Sequence, residues 1–114
     1  MPTTNSARQR QASEVAAILK CLAHPTRLLA VCHVLHSERY ALEISDFLAT
    51  TKSNASQHLS ALVAAGILTR EERGNKNFYR LADEKIRELI SFLEHSYCPQ
   101  GGLTTQEVRD DRRL

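Results

Sequence analysis

From Arg8 to Leu22 the apolar positions are Ala12, Val15, Ala16, Leu19 and Leu22, an i, i+3, i+4 spacing that predicts an amphipathic helix. His24-Pro25 interrupts it, because proline disfavours helix in the residue before it and suits the first position of a new one. A second helix is expected from about Pro25 to Ser37, burying Leu28, Leu29, Val31, Cys32 and Leu35. Ala41 to Ala49 reads as a short third helix with Leu42, Ile44, Phe47 and Leu48 facing inward. The stretch TTKSNASQHLSALVAAGIL has two unlike halves. Its second half carries Leu59, Leu62 and Val63 and stops at Gly66, as a core-packed helix does. Its first half carries Lys52, Ser53, Asn54, Ser56, Gln57 and His58, all able to donate hydrogen bonds and none acidic.

The period then changes. Ile67 and Leu68 lead into a strand, Gly74-Asn75 marks a turn, and Phe78, Tyr79 and Leu81 lead out, which predicts a β-hairpin. Asp83 is placed to cap a closing helix with a stripe at Ile86, Leu89, Ile90, Leu93 and Tyr97, and Cys98 falls in its last turn, just before a Pro and two Gly. The result is a mainly α chain with a small β-hairpin. Its order is that of a winged helix-turn-helix, with five helices and a two-stranded wing. Residues 1–100 are expected to form the domain. The stretch 101–114, with alternating charges and no periodicity, is expected to be a flexible tail.

The stripes on the first and last helices (Val15, Leu19 and Leu22; Ile86, Ile90, Leu93 and Tyr97) exceed what one small core can cover, so a two-fold homodimer is expected. Hydrophobic content of 42% and charged content of 25% are those of an ordinary soluble domain. No apolar run reaches signal-peptide or membrane-span length, which points to a cytoplasmic protein with no membrane partner. The net charge of +2 is uninformative by itself. Between Lys52 and Arg80, however, five basic residues (Lys52, Arg70, Arg73, Lys76 and Arg80) oppose only Glu71 and Glu72, a local excess of +3 that two-fold pairing doubles.

That excess lies around the polar helix front, and the two together suit double-stranded DNA. Ser53, Asn54, Ser56, Gln57 and His58 are positioned to read base edges in the major groove, with Lys52 beside them and Arg73 and Lys76 on the wing to grip phosphate. An enzyme is disfavoured: the chain has no phosphate-cradling glycine loop, Gly-x-Ser-x-Gly turn or His-Glu-x-x-His motif, and no cofactor is expected. Three cysteines, an odd number in a reducing compartment, argue against a stapling framework and leave metal binding, redox chemistry or plain burial.

LAHPTRL, SNASQHLSALVAAGIL and RGNKNFYRL together resemble the ArsR/SmtB family of dimeric bacterial repressors, over roughly residues 12 to 98. The resemblance implies that the SQHL helix enters the major groove, that the hairpin is a wing, and that the first and last helices pair two subunits. Two metal sites common in the family have no match. The third helix, ALEISDFL, lacks a Cys-x-Cys, and the closing helix offers Asp83-Glu84-Lys85, then Ser96 and Pro99, where an Asp-x-His and a His-x-x-Glu would stand. Cys32 in LLAVCHVL and Cys98 in HSYCPQ instead resemble the paired thiols of the branch that includes BigR, SqrR and HlyU. This implies a dithiol switch in which persulfide, sulfide-derived species or an oxidant couples Cys32 to Cys98 and weakens operator binding. His33, His36 and His95 lie near these cysteines in sequence and would favour a thiolate if protonated. The alternative is a metal-sensing repressor using Cys32, Cys98 and His33 or His95. Cys21 has no counterpart in the paired pattern and reads as packing or a bystander thiol.

Overall fold

The computed structural model describes residues 3–98, with side chains from residue 6 onward, so the tail expected at 101–114 and the domain limit at 100 lie outside the described residues. The order is α1 (Thr3–Leu22), α2 (Pro25–His33), β1 (Arg39–Tyr40), α3 (Ala41–Leu48), α4 (Lys52–Ala64), β2 (Leu68–Arg73), β3 (Lys76–Leu81) and α5 (Glu84–Tyr97). No single helix among the described residues is long and apolar enough to cross a membrane.

The break at His24-Pro25 turns the chain by 93° between α1 and α2. His24 caps α2, its ring Nδ1 accepting from the Thr26 backbone N–H at 3.2 Å, and Pro25 occupies the first turn, where its missing N–H costs nothing. α1 begins at Thr3, earlier than the expected Arg8.

α2 stops at His33, four residues short of the expected Ser37. The reason is in the core. Every residue from Ala30 to Leu35 is buried, and a helix of 3.6 residues per turn with one side in solvent cannot turn six consecutive side chains inward. The backbone therefore leaves the helix at Val34 so that Val34 and Leu35 can join Val31 and Cys32 inside. Two cations meet the carbonyls exposed at this end: Arg39 Nε donates to the His33 oxygen, and Arg87 of α5 donates to that of Leu35.

β1 is the one element the pattern did not anticipate. It pairs antiparallel with β3 (Arg39 opposite Tyr79, Tyr40 opposite Phe78), and β3 pairs with β2. The wing is thus part of a three-stranded sheet of order β1-β3-β2, where a two-stranded one was expected. Two residues are too few to display an alternating period, so only the pairing reveals the strand. The expected turn forms at Gly74-Asn75, with Gly74 at φ +61° and Arg73 opposite Lys76, a two-residue connection with glycine at the position that demands positive φ.

α3 starts where Glu43 accepts from the Tyr40 backbone N–H at 2.9 Å. It buries Ile44 and half-buries Phe47 and Leu48, but Leu42, expected inside, is 40% exposed. α4 is capped by Thr51, whose Oγ1 accepts from the Asn54 N–H at 3.0 Å, and it buries Ala55, Leu59 and Leu62. Its chain reverses at Gly66, where φ is +78° and the N–H groups of Gly66 and Ile67 return to the Val63 and Leu62 carbonyls.

The stripes assigned to dimer contact divide. Leu22, Ile86 and Ile90 are buried within the single chain, whereas Val15 (54%), Leu19 (49%) and Tyr97 (78%) stay exposed, joined by Phe92 (65%). A helix stripe serves its own core first, and sequence spacing alone does not separate the two uses.

Ala49, the C-cap of α3, has φ +55° in the left-handed region, which costs a residue with a Cβ roughly 1–2 kcal/mol. Ala49→Gly relieves that cost, less the greater unfolded-state freedom of glycine, and is expected to stabilise the domain by roughly 0.5–1 kcal/mol. Urea denaturation checks this: the midpoint should rise with an unchanged slope.

Candidate nucleic-acid interface and thiol pair

α4 is held to the body by Ala55, Leu59 and Leu62, so the opposite side of its first two turns faces solvent. Lys52, Ser53, Asn54, Ser56 and Gln57 are all exposed there. The Asn54 amide is tethered, its Nδ2 donating to Thr50 Oγ1 at 2.8 Å, which leaves its oxygen outward-facing for recognition.

His58 is placed differently from its neighbours. It is half-buried and turned toward the start of α2, where Arg27 Nε donates to its Nδ1 at 3.2 Å and the His24 ring lies 4.6 Å away. Arg27 also reaches the Cys21 carbonyl at 3.5 Å and Sγ at 3.6 Å, and Cys21 Sγ lies 3.7 Å from the Ala61 oxygen. One guanidinium thus ties α1, α2 and α4 together, a role for Arg27 that its position in LAHPTRL did not signal. Cys21 is buried packing at this junction.

On the wing, Arg73 is committed to internal partners. It bonds both oxygens of Glu38, reaches Glu71 at 3.1 Å and lies 4.2 Å over the Phe78 ring. Arg80 shares Glu71 at 3.3 Å, and these hydrogen bonds hold the Glu71 carboxyl below the usual carboxylate range, chiefly through Arg73. Among the described residues, Lys52, Arg70 and Lys76 are the cations of this segment without an ion-pair partner. Lys76 instead rests its Nζ 4.6 Å over the Tyr40 ring, on the strand that sequence reasoning missed. A cleft of about 370 Å³ lies between α4 and the wing, lined by Lys52 and Ser56 of α4, by Asn75 and Lys76 of the wing, and by Leu42 of α3.

Of the remaining cysteines, Cys32 lies on α2 and Cys98 at the end of α5. All three are free thiols. Cys32 is buried, and its pKa is pushed up to about 12, first by burial and then by the negative charges of Glu94 and Cys98. Cys98 caps the end of α5, its N–H bonded to the Glu94 carbonyl at 2.8 Å, and is half-exposed. It opens on a surface pocket of about 550 Å³ lined also by His36, Glu88, Phe92, Glu94 and His95. Of the three histidines expected near the thiols, His36 and His95 line this pocket. His33 does not: it is buried, stacked on Phe47 at 4.0 Å, with Nδ1 unpartnered and its pKa lowered chiefly by burial. Among the described residues no group of three or more His, Cys, Asp or Glu is arranged to hold a metal ion, so the ligands of the metal-sensing alternative are not gathered.

A capped helix with an exposed polar front, seated on a helical core and flanked by a β-hairpin, defines a winged helix-turn-helix DNA-binding protein. A family model described as a helix-turn-helix domain matches residues 22–71. The chain is 37% identical over 92 residues to the biofilm growth-associated repressor of Agrobacterium fabrum, covering 81% of this chain and 79% of that one. It is 34% identical over 90 residues to the transcriptional repressor SmtB of Mycobacterium tuberculosis, covering 78% and 67%. The crystal structure of the transcriptional repressor BigR from Xylella fastidiosa superposes with a TM-score of 0.71 at 31% identity, over 84% of this chain and 95% of that one. The chain belongs to the ArsR/SmtB family of winged helix-turn-helix transcriptional regulators.

Neutral His58 is the form that accepts from Arg27. Burial first, then the proximity of His24 and Arg27, holds its pKa below the ordinary 6.5. The folded chain therefore binds this proton less tightly than the unfolded one. The stabilising contribution is full above pH 6.5 and is lost as pH falls through the folded pKa. A proton NMR titration of the His58 ring should give a midpoint below 6.5 that moves upward in Arg27→Ala. An unmoved midpoint would remove Arg27 as its partner.

Proposed function

We propose that this protein is a homodimeric transcriptional repressor that reads operator DNA through α4 and the wing, and releases it when a reactive sulfur species or oxidant couples Cys32 to Cys98. The observation carrying the first half is the two-sided character of α4: a buried Ala55, Leu59 and Leu62 anchor beneath an exposed row of hydrogen-bonding side chains. The repressors to which the chain is similar support the same reading.

Ser53, Asn54, Ser56 and Gln57 are the base readers in this proposal, and His58 orients α4 from behind. Lys52, Arg70 and Lys76 supply phosphate contacts. Arg73 reaches a phosphate only by leaving Glu38 and Glu71, so its main work is to shape the wing. The exposed Val15, Leu19, Phe92 and Tyr97 of α1 and α5 form the face for a second copy. Two-fold pairing there sets two recognition helices about one DNA turn apart, roughly 34 Å.

The half-exposed Cys98 meets the inducer first, because Cys32 is enclosed and its thiolate suppressed. With a persulfide RSSH, the Cys98 thiolate takes the outer sulfur and releases RS⁻. Cys32 then attacks Cys98 Sγ and expels hydrosulfide, which closes the bridge. A bridge between α2 and α5 favours whichever dimer arrangement accommodates it, and DNA affinity falls by no more than that preference.

An operator enriched from random duplexes tests the recognition surface. Gln57→Ala should lose about 1–3 kcal/mol of discrimination against a scrambled duplex. Lys76→Ala should weaken both duplexes alike and reduce the salt slope by about 1 per subunit. The same titration should give two chains per operator. Wild-type affinity in Gln57→Ala would refute the recognition-helix assignment.

For the thiols, wild type, Cys32→Ser and Cys98→Ser are treated with cysteine persulfide, then weighed intact and titrated with operator. Only wild type should lose affinity and gain the bridged mass. Full release of DNA by either single variant would leave the pair without a role.

A further inference from the structure

The junction of α1, α2 and α4 holds a cation that has no carboxylate partner among the described residues. This is Arg27. Its Nε donates to His58 Nδ1 at 3.2 Å, and its Nη1 reaches the Cys21 carbonyl at 3.5 Å and Sγ at 3.6 Å. A guanidinium keeps its protons throughout the range in which proteins fold, so it can only donate. His58 Nδ1 must therefore offer a lone pair, which makes the ring neutral with its proton on Nε2.

His58 stands where α4 passes from its outward-facing row to its anchor. It follows Asn54 by about one helical turn and precedes Ala61, whose carbonyl lies 3.7 Å from Cys21 Sγ. One face of α4 thus rests on the α1 and α2 junction at two successive points, while Ser53, Asn54, Ser56 and Gln57 stay exposed. A proton added to Nδ1 removes the acceptor and sets a second positive charge against Arg27. The groups facing His58 are Arg27 and His24 of α2, the His24 ring 4.6 Å away, with the Cys21 thiol of α1 beyond Arg27. No carboxylate is among them. His24 is itself committed to capping α2 through the Thr26 N–H, so turning it aside costs that cap.

We propose that the Arg27 to His58 hydrogen bond is an acid-sensitive latch on α4: with the ring neutral it fixes the helix angle that reads the operator, and protonation of Nδ1 opens it. The role rests on the reading of α4 as the DNA-reading helix given above. Arg27 and His58 are positioning residues, acting through Asn54 and Gln57. Burial, then His24 and Arg27, hold the ring's pKa below 6.5, so the latch is closed at neutral pH and opens in acid. The sign of the effect lies in discrimination. An added positive charge on α4 favours every duplex alike, whereas a loosened helix weakens only the contacts that distinguish one base from another. Acid therefore moves the protein from its operator to unspecific DNA.

The test measures affinity for the enriched operator and for a scrambled duplex at constant ionic strength across pH 5 to 8, with circular dichroism following the fold, and takes their ratio. In wild type the ratio should fall about tenfold through the His58 midpoint read by NMR, the loss expected for one hydrogen bond to a charged group. His58→Asn places an amide oxygen near the position of Nδ1 and does not titrate in this range. Its ratio should be flat and near the neutral wild-type value, and that of Arg27→Ala flat and low. A fall that persists in His58→Asn would assign the effect to another group and overturn the proposal. So would a wild-type ratio that stays level through the His58 midpoint, or an Arg27→Ala ratio equal to wild type at pH 8. A wild-type protein that distinguishes the two duplexes at no pH would overturn the DNA-reading assignment of α4 and this role together.

Discussion

Six consecutive buried residues, Ala30 to Leu35, constrain most of what surrounds them. A helix with one side in solvent cannot bury such a run, so α2 ends within it, and the carbonyls of His33 and Leu35 must find donors from elsewhere. Arg39 and Arg87 supply them, which draws the start of β1 and the first turn of α5 to the same point. The edge strand, the closing helix and the core are therefore settled by one burial requirement. Cys32 is the third residue of the run, so its enclosure is a consequence of the fold's central packing and not of a site built around sulfur.

The DNA-facing surface obeys a different economy. Its local charge excess is smaller in practice than a count of residues suggests, because Glu38 and Glu71 occupy Arg73, and Arg80 shares Glu71. Such exposed pairs contribute little to stability, but they decide which cations remain available. Lys52 and Lys76 both line the cleft between α4 and the wing, and Lys76 is steadied over Tyr40 of β1. The short strand thus carries consequences for the outer surface as well as for the sheet.

The two ends of α5 connect these regions. Its first turn bonds the chain just past α2 through Arg87, and its end carries Glu94 in the last turn and Cys98 at the C-cap. Phe92 lines the Cys98 pocket and also belongs to the exposed apolar face assigned to a second copy. On the proposed reading, a covalent change at Cys98 would occur beside the face offered to a second copy. Packed interfaces switch between discrete arrangements more readily than they deform continuously, which is the means by which the proposed sulfur bond would act at a distance.

Local chemistry made much of this protein legible from its residues. Pro25 after His24, Gly66, Gly74 and Asp83 each act within a few positions, so the elements they start or stop were readable without coordinates. The polar front of α4 and the Cys32 and Cys98 positions were equally visible. Tertiary structure alone decided the early end of α2, the existence of β1, and the division of the α1 and α5 stripes between core and exposed face. It also turned His58 inward to Arg27, bound Arg73 to Glu38 thirty-five positions away, and left one oxygen of Glu94 buried without a partner. Each of these depends on which distant groups compete for the same side chain or the same buried volume, and that competition has no signature in local spacing.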